Sequence, residues 1–216
     1  MQKKRTIWWL SGLMITLVSL LLTYSRSSLL AFLVGVIVWG IYTKRKVFVS
    51  SILALMIVVL LVLPHTGEGR NLFRTVSTYA RLGSVERAVS LIREKPFVGH
   101  GFNILRFVAR DRSWIDESIA PSRAGAGLDT SLLFVGATTG VVGIVVYGWL
   151  LVRLFQLGLV GLRSKERVRE QAATYIAILS AALVHSLFIN SLFYPWVMVW
   201  IWVATGSLEQ RIKAGK

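Results

Sequence analysis

Between Ile7 and Leu208 the chain is a succession of apolar runs divided by short basic clusters, and that pattern leaves few folds open. Ile7–Tyr24 follows the basic Met1–Arg5, and further runs cover Ser27–Thr43, Val47–Leu63, Thr130–Leu151, Ala172–Ile189 and Trp196–Leu208. A membrane helix needs about 20 apolar residues, and in lipid only helices and closed barrels satisfy their own backbone. The expected class is therefore an all-α integral membrane protein with about six transmembrane helices. Charged residues are 16% of the chain, against about 25% in an average soluble domain. The absence of cysteine excludes disulfides, thiolate metal sites and cysteine nucleophiles. A net charge of +15 on a soluble chain would suggest nucleic acid. Here much of the Lys and Arg sits in short clusters flanking apolar runs, so the expected partner is the lipid bilayer and not nucleic acid.

Three parts follow: three N-terminal helices over residues 1–64, a long polar loop over 65–128, and three C-terminal helices with a basic tail over 129–216. The first run is long for a signal-peptide core and no A-x-A site follows it, so it reads as a retained helix. Segments 1–5, 44–46, 163–170 and 209–216 carry three, three, four and three Lys/Arg, which puts both termini in the cytoplasm. The 65–128 loop holds ten basic residues but is long, and long loops translocate largely regardless of charge. It is expected outside the cytoplasmic membrane, and so is any chemistry: His65, His100, His185, Arg26 and Asp129 all fall in the outer half.

Several polar residues need a reason. Arg26 sits in Tyr24-Ser25-Arg26-Ser27-Ser28, the break between two runs. It reads either as a snorkelling turn arginine or as a cation held at a cavity mouth. In the loop, the spacing predicts two amphipathic helices along the membrane surface, Asn71–Leu82 and Val85–Lys95. Gly83 would stop the first and Ser84 would cap the second. Val85, Ala88, Val89 and Ile92 form the expected apolar stripe, with Arg87, Ser90 and Glu94 opposite. The loop's basic residues are nine Arg and one Lys. They could meet lipid phosphates, or some could grip a phosphorylated substrate through bidentate contacts that lysine does not offer. His100, between Gly99 and Gly101, is expected in an exposed turn. Asp129 can cap the fourth span and serve as a base as well. His185 is expected to pair with a neighbouring helix.

Four segments together resemble the C-terminal half of the O-antigen ligase and O-antigen polymerase superfamily, bacterial membrane enzymes that join lipid-linked glycans. They are Ser25-Arg26-Ser27; Arg81-Leu82 through Arg87 to Arg93-Glu94-Lys95-Pro96-Phe97-Val98-Gly99-His100-Gly101; Leu128-Asp129-Thr130-Ser131 with Thr139-Gly140-Val141-Val142-Gly143; and His185-Ser186 with Asn190 and Pro195. The ligases carry a histidine where this chain has Asp129, which favours the polymerase-like branch. The resemblance implies inverting glycosyl transfer from an undecaprenyl-diphosphate-linked oligosaccharide to a sugar hydroxyl, without cofactor or metal. Arg26, Arg81 and Arg87 would bind the diphosphate, with Asp129 as base, His100 as second candidate, and His185 and Asn190 in support. A chain-length regulator or a complementary membrane half could be a partner. The competing expectation is a catalytically silent membrane subunit that only binds lipid-linked glycan.

Overall fold

The computed structural model describes residues 2–62, 75–114 and 127–215. Their regular structure is helical, with no strand among the described residues. The α-helices are α1 (Gln2–Leu22), α2 (Arg26–Thr43), α3 (Lys46–Val62), α4 (Thr75–Glu94), α5 (Leu105–Asp111), α6 (Ser131–Leu162), α7 (Glu166–Ser186) and α8 (Pro195–Ala214), with a 3-10 turn at Ser191–Phe193 before α8. Of these, α2 and α6 are long and apolar enough to cross a membrane; the apolar stretches Ser11–Leu22 and Lys46–Val58 are shorter.

Local chemistry sets several boundaries. Ser25 caps α2 by accepting the Ser28 N–H, and Lys44 ends the helix in the left-handed conformation. Pro195 opens α8, where its missing N–H leaves no helical bond unmade. The C-terminal helices also extend into charged sequence: α7 starts at Glu166, earlier than the predicted Ala172, and α8 runs on to Ala214.

At the centre lies α7, packed on α2, α6 and α8. Ala172, Ala173, Tyr175, Ile176, Ala177 and Leu179 are buried on it. Small residues let the backbones approach: a side chain added at Gly35 of α2 would touch Ala181, and one at Gly158 or Gly161 of α6 would meet Ile176 or Ala172. Leu208 and Ile212 of α8 complete this core. Leu17, Leu21 and Met56 form a separate cluster joining α1 and α3 against α2.

The loop differs from expectation in a way the packing explains. Asn71–Arg74, His65 and Pro64 lie outside the described residues. From Thr75 onward there is one helix rather than two, and Gly83 and Ser84 sit inside it. An interior glycine costs about 1 kcal/mol, which tertiary packing of α4 on α6 can outweigh. The buried face is Ser84, Ala88 and Leu91, whereas Val85 of the expected stripe is exposed. Leu91 and Ala88 join Leu105, Leu128 and Ala137 in a third cluster linking α4, α5 and the start of α6.

The helix α6, expected to end at Leu151, runs on to Leu162 and is broken at Gly140, whose φ of 66° and ψ of −162° interrupt it. Thr130, just before α6, hydrogen-bonds the Leu187 carbonyl, while Gly158 abuts Ile176. At 1.5 Å per residue, a straight helix would separate Thr130 and Gly158 by about 42 Å, but Leu187 and Ile176 are only about 17 Å apart along α7. The two halves of α6 therefore cannot be collinear. Phe193 packs against both, with ring centroids 5.1 Å from Phe134 and 5.6 Å from Tyr147.

Candidate functional site

The break in α6 frees backbone donors and acceptors, and residues 96–101 take up two of each. Val141 and Val142 donate to the Pro96 and Phe97 carbonyls at 2.8 and 3.4 Å, while His100 and Gly101 donate to Ala137 and Thr138 at 2.9 and 2.8 Å. This is the backbone accounting that a broken helix demands. It leaves no space for side chains: a Cβ on Gly140 would strike the Phe97 carbonyl, and one on Gly99 the Thr138–Thr139 peptide. Both glycines have positive φ. The Pro-Phe-Val-Gly-His-Gly segment is thus a clasp on the break.

His100 belongs to that clasp and is not in an exposed turn. Its side chain is 7% exposed, and Nε2 lies 3.0 Å from the Leu91 carbonyl. A carbonyl oxygen only accepts, so Nε2 carries the proton. Glu94 Oε2 stands 3.7 Å away and pairs with Arg112. Hydrogen bonding to Arg112 holds the Glu94 carboxyl below its ordinary value. Arg112 also lies over the Trp114 ring, and Arg87 is 6.0 Å from the same ring while its Nε donates to the Gly83 carbonyl. The side chains of Arg87 and His100 therefore take their contacts within the α4–α5 side of the molecule.

The other predicted residues gather where α2 begins and α7 ends. Arg26 is the first residue of α2, at a helix N-terminus, where the macrodipole disfavours a cation by roughly 0.3–1 kcal/mol. Ser25, Ser27 and Ser28 form a hydroxyl chain beside it, and Ser28 Oγ is 3.3 Å from His185 Nε2. The expected cross-helix partner of His185 is therefore on α2. Arg81 of α4 reaches the same corner: its guanidinium is 5.7 Å from the Phe188 ring, and its charge is felt at His185.

Asp129 is exposed, and the helix cap is its neighbour Thr130. Thr130 lacks a side-chain cap bond because its hydroxyl is committed to Leu187. Asp129 is instead held through its backbone N–H, which donates to Ser84 Oγ at 3.1 Å. Ser84 lies three residues after Arg81, on a neighbouring stretch of the same helix surface. One helix thus supplies both Arg81 and the anchor for Asp129. Asn190 follows on the α7 side, its Oδ1 buried and without a hydrogen-bond partner among the described residues.

Sequence reasoning missed Ser84 as an anchor, Ser28 as a partner, Phe188 as an arginine platform and Gly140 as a break. Only Gly140 left a signal, a glycine within an apolar run next to Thr139.

A family model described as O-antigen ligase matches residues 11–148, well over half of the chain. The match includes Arg26, Arg81, Arg87, His100, Asp129 and the break at Gly140, and it ends before His185 and Asn190. No curated protein and no solved structure matches the chain.

Proposed function

The chain belongs to the O-antigen ligase family, and we propose that it joins glycans in surface-polysaccharide assembly by transferring an oligosaccharide from undecaprenyl diphosphate to a sugar hydroxyl. The observation that carries this reading is the meeting of Arg81, His185 and Ser28 at one corner, with Asp129 anchored to Ser84 on the same helix as Arg81. In the reaction, the acceptor hydroxyl gives its proton to the Asp129 carboxylate. Its oxygen bonds to the anomeric carbon on the face opposite the departing carrier. The bond to the diphosphate breaks with its electron pair, and the configuration inverts.

Charge then grows on the diphosphate, and fixed guanidinium groups stabilise it without reorganising. Arg81 is given this role together with Arg26, whose helix N-terminus adds further attraction for an anion. Arg87, engaged by Gly83 and Trp114, supports the loop in this scheme. Proton donation from His100 Nε2 to Leu91 leaves Asp129 the favoured base. Asp129 in place of the ligase histidine favours a polymerase-like acceptor, another carrier-linked repeat, over lipid A core.

The proposed setting is the cytoplasmic membrane, crossed by α1, α2, α3, α6, α7 and α8, with both termini inside and the Arg81 corner outside. The Arg45–Glu170 ion pair supports that orientation, since it joins two of the basic segments assigned to the cytoplasm.

Purified full-length protein, given a synthetic undecaprenyl-diphosphate oligosaccharide as donor and acceptor, tests the scheme. Asp129→Asn should lose roughly 10²–10⁴ of the joining rate, as removal of a general base does. Arg81→Gln should lose about 10²–10³, the range for one charge-stabilising donor. Rates unchanged in both variants, with the fold intact, would leave the silent glycan-binding subunit as the better account.

A further inference from the structure

The second half of α6, Val141–Leu162, is 22 residues long, which at 1.5 Å per residue is about 33 Å and matches a hydrocarbon core of about 30 Å. Its exposed apolar residues Val141, Val142, Val145, Val146, Trp149 and Val152 form one stripe, with the exposed Arg153 and Gln156 beyond them on the same face. The break at Gly140 therefore marks the end of this stripe, and the clasp is bonded to its first two members. Phe97 and Val98 of the clasp are 72% and 74% exposed, and Phe102, Ile104 and Phe107 beyond it are exposed as well. Such a patch is costly in water, and it continues a face that lipid already covers if α6 is a span. Around it stand the exposed cations Arg93, Lys95 and Arg110, with Arg110 lying 5.5 Å from the Phe107 ring. Apolar side chains beside snorkelling cations are what a protein surface resting in an anionic lipid interface presents.

We infer that the segment from Phe97 to Phe107 is seated in the outer leaflet, its aromatic residues among the acyl chains and its cations at anionic headgroups. The α4–α5 unit is thereby fixed at membrane height by two ties, the backbone clasp on α6 and this lipid contact. The inference rests on reading α6 as a membrane span, and the test separates the two.

The chain has no cysteine, so single labels can be placed without removing native ones. Phe97→Cys, Phe107→Cys, Val145→Cys and Asp111→Cys, each carrying a nitroxide, would be measured in the full chain in bilayers of mixed phosphatidylcholine and phosphatidylglycerol. Val145 reports on the span and Asp111 on water. The expected result is that Phe97 and Phe107 labels collide several-fold more with oxygen, relative to a nickel chelate, than the Asp111 label does. Lipid-like behaviour at Val145 with water-like behaviour at Phe97 and Phe107 would overturn this inference and leave the span intact. Water-like behaviour at Val145 would overturn both. Dipolar broadening between Phe97 labels would identify a second copy as the occupant and overturn the lipid seat.

Discussion

The two ends of the α2–α7 pair are closed by different chemistry. At one end Arg45 and Glu170 meet at 2.6 Å, both half-exposed, as opposite charges on a solvated surface. At the other end Ser28 meets His185, and the nearby Arg81 lies over Phe188. Among the described residues neither Arg81 nor His185 pairs with a carboxylate. An exposed ion pair contributes about 0–1 kcal/mol and is screened by salt, so the first end can be explained by stability alone. Positive charge beside hydroxyls and an aromatic ring contributes little to folding and suits an arriving anion. On that contrast the first end is a fastening, and the second is the corner proposed as the site.

The sharpest way to break the contrast is to replace the cation of the second end with a carboxylate. Arg81→Glu should lower glycan joining by at least about 10³, since it removes a charge-stabilising donor and adds repulsion. Thermal stability should hold, because Arg81 is a half-exposed side chain resting on a ring. A rate within a few-fold of the parent would make the two ends equivalent.

A smaller effect is expected at the anchor. Ser84→Ala removes the acceptor of the Asp129 N–H at a cost near 1 kcal/mol. The lost rate should be larger than that implies, on the order of 10-fold to 10²-fold, because misplacing a catalytic group is costly. A positioning role requires the loss to fall on kcat rather than KM and Ser84→Thr to restore it; an equal loss in Ser84→Thr would point to packing.

These residues also show what the sequence could reveal. The apolar runs stood out because lipid accepts only helices of a certain length, and α2 begins and ends within a residue of expectation. Asp129 and His185 could be singled out one at a time as polar residues at span edges, and Arg81 through the family resemblance. Their partners could not, since Ser28–His185 and Ser84–Asp129 join residues far apart in sequence by single hydrogen bonds that leave no periodic trace. The error at Gly83 has the same origin: local propensity signalled a stop, and packing on α6 overrode it. At His100 the turn was anticipated but the burial was not, because the break that the turn fastens lies some forty residues later, at Gly140.

The fastening end supplies the converse test. Arg45→Gln should cost no more than about 1 kcal/mol, with a difference that shrinks in high salt, and should leave joining unchanged. Thermal unfolding at two ionic strengths, beside the glycan assay, checks both halves. A loss of activity comparable to that of Arg81→Glu would mean that the proposed catalytic corner depends on the opposite end of the pair.

The Glu94–Arg112 pair extends the comparison to the loop and carries the smallest expected effect. Arg112 lowers the Glu94 pKa from its ordinary 4.5, so the folded chain keeps this carboxylate charged to lower pH than the unfolded chain does. The unfolded state then takes up more protons as the pH falls. The contribution of the pair is fully present above 4.5 and is lost as the pH drops through the depressed folded value. Because Glu94 is exposed, the slope should be shallow and weakened by salt. Glu94→Gln should therefore be slightly less stable than the parent near neutrality and converge with it as the pH falls through the depressed value, as thermal unfolding across the acid range would show. A difference that persisted at the acid end, where the carboxyl is protonated, would instead mark Glu94 as a hold on His100, 3.7 Å away, and would tie the clasp on α6 to this side chain.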